Sequence, residues 1–195
     1  MSTAKIQGSP RERLLGAADE LFYREGVHRV GIDRVIERAG VAKASLYSAF
    51  GSKEELVLAY LEVRAARREA RVLGHMARYD KPRDRILAVF EALAERVAEP
   101  DFRGCAFVRV TSEGPPDDGR VGEVCRAARA WTRSLLVQLS REFGAADPER
   151  LGQQLALLYD GVLVAASVDR NPTAAAEARR LAEQLLDAMS SAHQG

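Results

Sequence analysis

Apolar residues recur every three or four positions along almost the whole chain, and that period admits one local structure, an α-helix with a buried stripe. Leu14, Leu15, Ala18, Leu21 and Phe22 mark the first stripe, on a helix from about Pro10 to Glu25. Ser9 can cap it, Pro10 suits its first turn and Gly26 ends it. A short helix follows from Ile32 to Ala39, with Val35 and Ile36 inward and Gly40 as its stop. Another runs from Ala42 to Phe50, anchored by Leu46 and Phe50 and closed by Gly51. Ser52 and Glu55 have capping-box spacing, so a long helix is expected from there to about Arg78. Beyond Pro82 the stripes are Ile86, Phe90, Leu93 and Val97, then Val124 through Phe143. Asp147-Pro148 and Asn171-Pro172-Thr173 open the last two helices. Period-two alternation is missing except in the doubtful stretch from Cys105 to Thr111. Gly114-Pro115-Pro116-Asp117-Asp118-Gly119 is the clearest loop. The expected fold class is all-α, with about nine helices, three short and the rest longer.

A chain of 195 residues can bury a core without staples. Cys105 and Cys125 make no disulfide framework and fit no zinc-ligand spacing; each reads as a small buried hydrophobe. His28, His75 and His193 are isolated, so no metal site is expected. The best apolar run, Leu151 to Val168, is broken by Gln153, Gln154 and Asp160, and the first residues lack a signal-peptide stretch. A cytoplasmic protein in a reducing compartment, with no membrane partner, is the expectation. No glycine-rich phosphate loop, nucleophile elbow, His-Glu metal motif or paired catalytic carboxylate is present, so neither enzymatic activity nor a cofactor is expected. Arg64, Arg67, Arg68 and Arg71 read as a solvated face of the long helix, with Glu62 and Glu69 near for pairing.

Function concentrates between Ile32 and Lys53. Two short helices meet at Gly40-Val41-Ala42, which is helix-turn-helix spacing. With Leu46 and Phe50 turned inward, Lys43, Ser45, Tyr47 and Ser48 keep much of their surface free. Such side chains bond phosphates and reach base edges in a major groove. Lys53, in the first turn of the next helix, can meet a phosphate drawn by free backbone amides. Net charge over the chain is only +1, but up to Lys53 nine basic residues face six acids, giving +3.

Leu14-Leu15, Ala17-Ala18, Leu21-Phe22 and Gly26, followed by Ile32 through Leu56, resemble the DNA-binding domain of the TetR family of bacterial transcriptional regulators. Ala39-Gly40-Val41, Leu46-Tyr47, Phe50 and Ser52-Lys53-Glu54 match that pattern without a gap. The resemblance implies a sequence-specific DNA-binding regulator, a repressor by family default, released from its operator by a small-molecule effector. It implies a homodimer that sets one Lys43–Phe50 helix per subunit into successive major grooves of a near-palindromic double-stranded DNA operator. Lys43, Ala44, Ser45, Tyr47 and Ser48 fall at recognition-helix positions; Tyr47, Lys53 and Gly31 fall where phosphate is usually bound. Gly31 offers an amide but no hydroxyl, and Ala42 replaces the usual Ser or Thr cap, at about 1 kcal/mol of local helix stability. The implied division is a reading domain over residues 1–52 and a helical effector-binding and dimerisation domain over residues 53–195. Phe90, Leu93, Cys105, Phe107, Trp131, Leu135 and Tyr159 are candidates to line the effector pocket. Leu151, Leu155, Leu158, Val162, Leu181 and Leu185 are candidates for a four-helix interface between subunits. An all-helical enzyme, or a protein-binding adaptor with a helix-turn-helix-like segment, is the competing class.

Overall fold

Helix α1 (Pro10–Glu25) starts at a reciprocal cap. The Ser9 hydroxyl accepts from the Glu12 amide at 3.3 Å, and the Glu12 carboxylate accepts from the Ser9 amide at 2.7 Å. The remaining elements of this computed structural model, which describes residues 8–113 and 119–191, are helical too. They are α2 (Ile32–Ala39), α3 (Lys43–Phe50), α4 (Lys53–Met76), α5 (Pro82–Ala98), α6 (Ala106–Glu113), α7 (Gly119–Phe143), α8 (Pro148–Ser167) and α9 (Ala174–Ser191). The fold is all-α, with no strand among the described residues. The stretch that left strand open, Cys105 to Thr111, is mostly helix: Phe107 and Val110, three residues apart, are both buried. The glycine-proline loop is centred on residues 114–118, outside the described residues, as is His193.

Helix α4 begins one residue later than expected, and only half of its capping box forms. The Ser52 hydroxyl accepts from the Glu55 amide at 3.1 Å, but the Glu55 carboxylate goes to Arg120. A guanidinium outcompetes a backbone amide as partner because both members of the pair are charged.

The chain folds as two compact units: one of residues up to Ala65 together with Ala106–Arg126, the other of Ala66–Cys105 together with residues from Ala127 on. In the first, Leu14, Ala18, Val30, Val35, Leu46, Leu56 and Leu61 form a core with no measurable exposure or almost none. The Phe22 and Tyr60 rings meet edge to face in it, centroids 5.6 Å apart. The second unit is built on Ile86, Phe90, Leu136, Leu139, Leu151, Leu155 and Leu186, all buried. There α7 and α8 cross at Gly152, where an added Cβ would lie 2.6 Å from the Val137 Cα. The glycine lets two backbones approach, as small residues do at tight helix crossings. No helix among the described residues is long and apolar enough to cross a membrane.

Candidate nucleic-acid interface

The two short helices are held in place by charge from outside themselves. Arg34 grips Glu25 through two nitrogens, at 2.6 and 3.1 Å, and Arg38 reaches Glu20 at 2.6 Å. Both contacts tie α2 to α1. The turn needs a residue that tolerates φ +61°, and Gly40 supplies it; its amide and that of Val41 cap the end of α2 on Glu37 and Ile36 carbonyls. Arg13 of α1 donates to the Gly40 carbonyl at 2.6 Å, so the turn is braced as well as bent.

Helix α3 is anchored on one side and open on the other. Leu46 is fully buried and Phe50 nearly so, with the Arg11 guanidinium 5.1 Å from the Phe50 ring centroid. Lys43, Ala44, Tyr47 and Ser48 are exposed, and Ser45 is half-buried. Tyr47 at 48% exposure is a surface side chain rather than a core one. The Lys43 ammonium lies 3.1 Å from the Asp33 carboxylate at the start of α2, and that hydrogen bond holds its pKa above the ordinary lysine range. Lys53 is half-buried, and burial pulls its pKa below that range. Gly31 and Ala42 are the N-caps of α2 and α3, and neither start receives a side-chain cap bond. Amides left open in this way attract anions. Beside α2, Arg24, His28, Arg29, Arg34 and Arg109 line a charged groove of about 650 Å³ with Glu25 and Glu113.

The residues expected to line an effector pocket are divided. Phe90, Leu93 and Tyr159 are buried in the second unit, with Trp131 and Leu135 partly buried against them. Half-buried Cys105 is at the end of a segment of that unit, whereas buried Phe107 belongs to the first unit. Polar groups stand among the apolar ones. Burial pushes the Tyr159 hydroxyl up to about 12. Arg129 is also partly buried, yet bonds to Asp160, at 2.6 Å, and to Cys105 keep its pKa above the ordinary value.

Among the residues expected at a subunit interface, Leu151, Leu155 and Val162 are buried in the chain's own core. Leu158 and Leu185 are partly buried against that core, and Leu181 is 47% exposed. The outward apolar residues of α8 and its C-cap are instead Leu157, Val164 and Val168, at 72, 56 and 72% exposure. Their spacing, with Gly161 between the first two, is that of one helix face. The sequence shows this second stripe beside the first, but period alone does not say which of two apolar stripes meets the core.

Three members of the arginine run on α4 depart from a solvated face, while Arg67 is exposed as expected. Arg64 lies 2.5 Å from Asp19 and stacks 3.8 Å from the Tyr23 ring centroid. Arg68 donates to the Ala128 carbonyl at 2.7 Å, and Arg71 pairs with Glu99. These partners come from distant parts of the sequence, so local charge pairing with Glu62 and Glu69 did not reveal them. Long aliphatic stems let arginines lie along a core while their heads find acceptors. Among the described residues, no cluster of histidine, cysteine and carboxylate side chains could hold a metal ion.

A trihelical unit with a braced turn and an outward polar helix is a helix-turn-helix reading head. Comparison with known proteins specifies it further. The family model of bacterial regulatory proteins, tetR family, matches residues 14–60. The solved structure of SCO4454, a TetR-family transcriptional regulator from Streptomyces coelicolor, is 32% identical, covers 93% of this chain and 96% of its own, and superposes with a TM-score of 0.88. The HTH-type transcriptional activator FasR of Mycolicibacterium smegmatis is 31% identical over 134 residues, 69% of this chain and 60% of that protein's length. The HTH-type transcriptional regulator YjdC of Escherichia coli is 26% identical over 90% of this chain and 93% of its own. The chain belongs to the TetR family of helix-turn-helix, DNA-binding transcriptional regulators.

Proposed function

We propose that the protein works in the cytoplasm as a homodimeric repressor, each subunit placing α3 in one of two successive major grooves of a near-palindromic operator. Residues 1–52 read the duplex, and residues 53–195 dimerise and take up a small-molecule effector that loosens the hold on DNA. The observation that carries this is the polarity of α3: Leu46 and Phe50 lock it down while Lys43, Ala44, Tyr47 and Ser48 face solvent. In this reading Lys43, Ser45 and Ser48 reach base edges, while Tyr47, Lys53 and the Gly31 amide hold phosphates. Leu157, Val164, Val168 and Leu181, exposed in the single chain, form the subunit interface; Leu151, Leu155 and Val162 support it from beneath. Phe90, Leu93, Cys105, Trp131, Leu135 and Tyr159, all of the second unit, receive the effector. An effector acts only by preferring the conformer that does not bind DNA. No enzymatic step is part of this function, and neither cofactor nor metal takes part in it.

Mobility shift of duplex DNA from the protein's own promoter tests the head directly. Lys43→Ala and Tyr47→Ala are expected to weaken binding by roughly tenfold each, as loss of a contact worth about 1–3 kcal/mol requires. Lys53→Ala is expected to weaken all sequences alike and to flatten the dependence of log affinity on log salt by about one unit per subunit. Full binding by both α3 variants would remove α3 as the reading helix.

A further inference from the structure

The Lys43–Asp33 pair sits at the centre of the proposed contact surface and does little for the fold. Both side chains are largely exposed, at 61 and 82%, so water screens their attraction. The pair joins the first turn of α2 to the first turn of α3, and Tyr47, one turn along from Lys43, is the other ionisable group whose field reaches that ammonium. A carboxylate in such a place works against a polyanion. It takes up one of the few cations on the reading surface and presents a negative charge of its own. Where no matching base edge stands in register, duplex DNA offers Lys43 chiefly phosphates, which must compete with Asp33 while being repelled by it. A guanine edge offers two base acceptors aimed into the groove, away from the backbone charge.

We propose that Asp33 is a specificity-determining residue, holding Lys43 in an intramolecular ion pair that backbone phosphate exchanges poorly and a matching base edge exchanges well. Asp33 acts through Lys43 and is a positioning residue. The inference rests on α3 being the reading helix. Its effect is selectivity: Asp33 lowers affinity for all DNA but lowers it most for the wrong DNA.

The test uses the full-length chain as wild type, Asp33→Asn, Lys43→Ala and the double variant. Wild-type protein first selects its site from a pool of randomised 30-base-pair duplexes (about three helical turns, room for two half-sites). Affinities for the selected duplex and for the unselected pool are then measured over a series of salt concentrations. Asp33→Asn is expected to bind the unselected pool roughly tenfold more tightly per subunit near 0.1 M salt, with the salt slope steeper by about one unit. The selected duplex gains less, so the ratio of the two affinities falls by about tenfold. In the Lys43→Ala background the same change leaves that ratio unaltered. Equal gains on both duplexes overturn the inference, as does a ratio that falls equally without Lys43, which would make Asp33 a direct reader of bases. Failure of the underlying assignment looks different: wild-type protein would enrich no sequence from the pool.

Discussion

Replacing Leu157 and Val164 together by glutamate is expected to turn the protein into a monomer and to weaken its hold on a two-half-site operator by roughly a hundred- to ten-thousand-fold. Leu157 and Val164 stand on one side of α8 and the C-cap Val168 continues that side, all with more than half of their surface in water, and Leu181 of α9 is nearly half exposed. An isolated exposed leucine is ordinary, but a row of them along one helix is a surface awaiting a partner. The loss of affinity comes from geometry, since one eight-residue recognition helix contacts few bases and a linked second copy raises the effective concentration at the neighbouring half-site. The size of the particle in sedimentation velocity and the operator affinity must fall together. Affinity for a single half-site should stay as it is, because neither substitution touches α1 to α3. A variant that remains dimeric excludes this face of α8 as the interface.

The second large effect is on stability. Gly152→Ala is expected to cost roughly 1–3 kcal/mol or more, because the new methyl group would meet backbone as well as side chain. The Val137 Cγ2, Cα and N atoms would be 2.5, 2.6 and 2.7 Å away, and rotation of the valine cannot clear two main-chain atoms. The helices must move apart, and the leucines packed beside them, Leu136 and Leu151, lose contacts. Gly74→Ala is the companion measurement. That glycine is inside α4 with open space where the Cβ would go, so alanine should stabilise by roughly 0.5–1 kcal/mol through helix propensity alone. Thermal unfolding should move in opposite directions for the two variants, downward for Gly152→Ala and upward for Gly74→Ala. Equal shifts would mean that the tight crossing at Gly152 contributes nothing.

Most of the reading head was legible from sequence because its determinants are local. Ser9, Pro10, Gly26 and Gly40 are punctuation that acts within a turn or two, and the limits of α1 and α2 fell where that punctuation put them. Leu46 and Phe50 predicted their own burial by their spacing, and with it the exposure of Lys43, Tyr47 and Ser48. What stayed hidden depends on partners far along the chain. Nothing beside Glu55 announces Arg120, nothing beside Arg64 announces Asp19, and the Arg13 bond to Gly40 spans 27 residues. The interface was hard for a different reason. Helix α8 carries apolar residues on two sides, and Leu151 and Leu155 look like Leu157 and Val164 until the packing of α7 and α9 shows which side is covered. Asp33 escaped notice because a lone acid at the start of a helix satisfies the helix dipole by itself, and only its distance to Lys43 gives it a second role.

As N-caps of α2 and α3, Gly31 and Ala42 bring no hydroxyl or carboxylate to accept from the first free amides, and no side-chain cap bond forms at either end. Helix-start amides without such a cap are left to water or to a ligand. Phosphate oxygens of a duplex would supply the missing acceptors, so the last hydrogen bonds of the fold would come from the nucleic acid. Amide exchange in the opening turns of both helices should then slow on the operator. Order at the tip of the head becomes a joint property of protein and DNA.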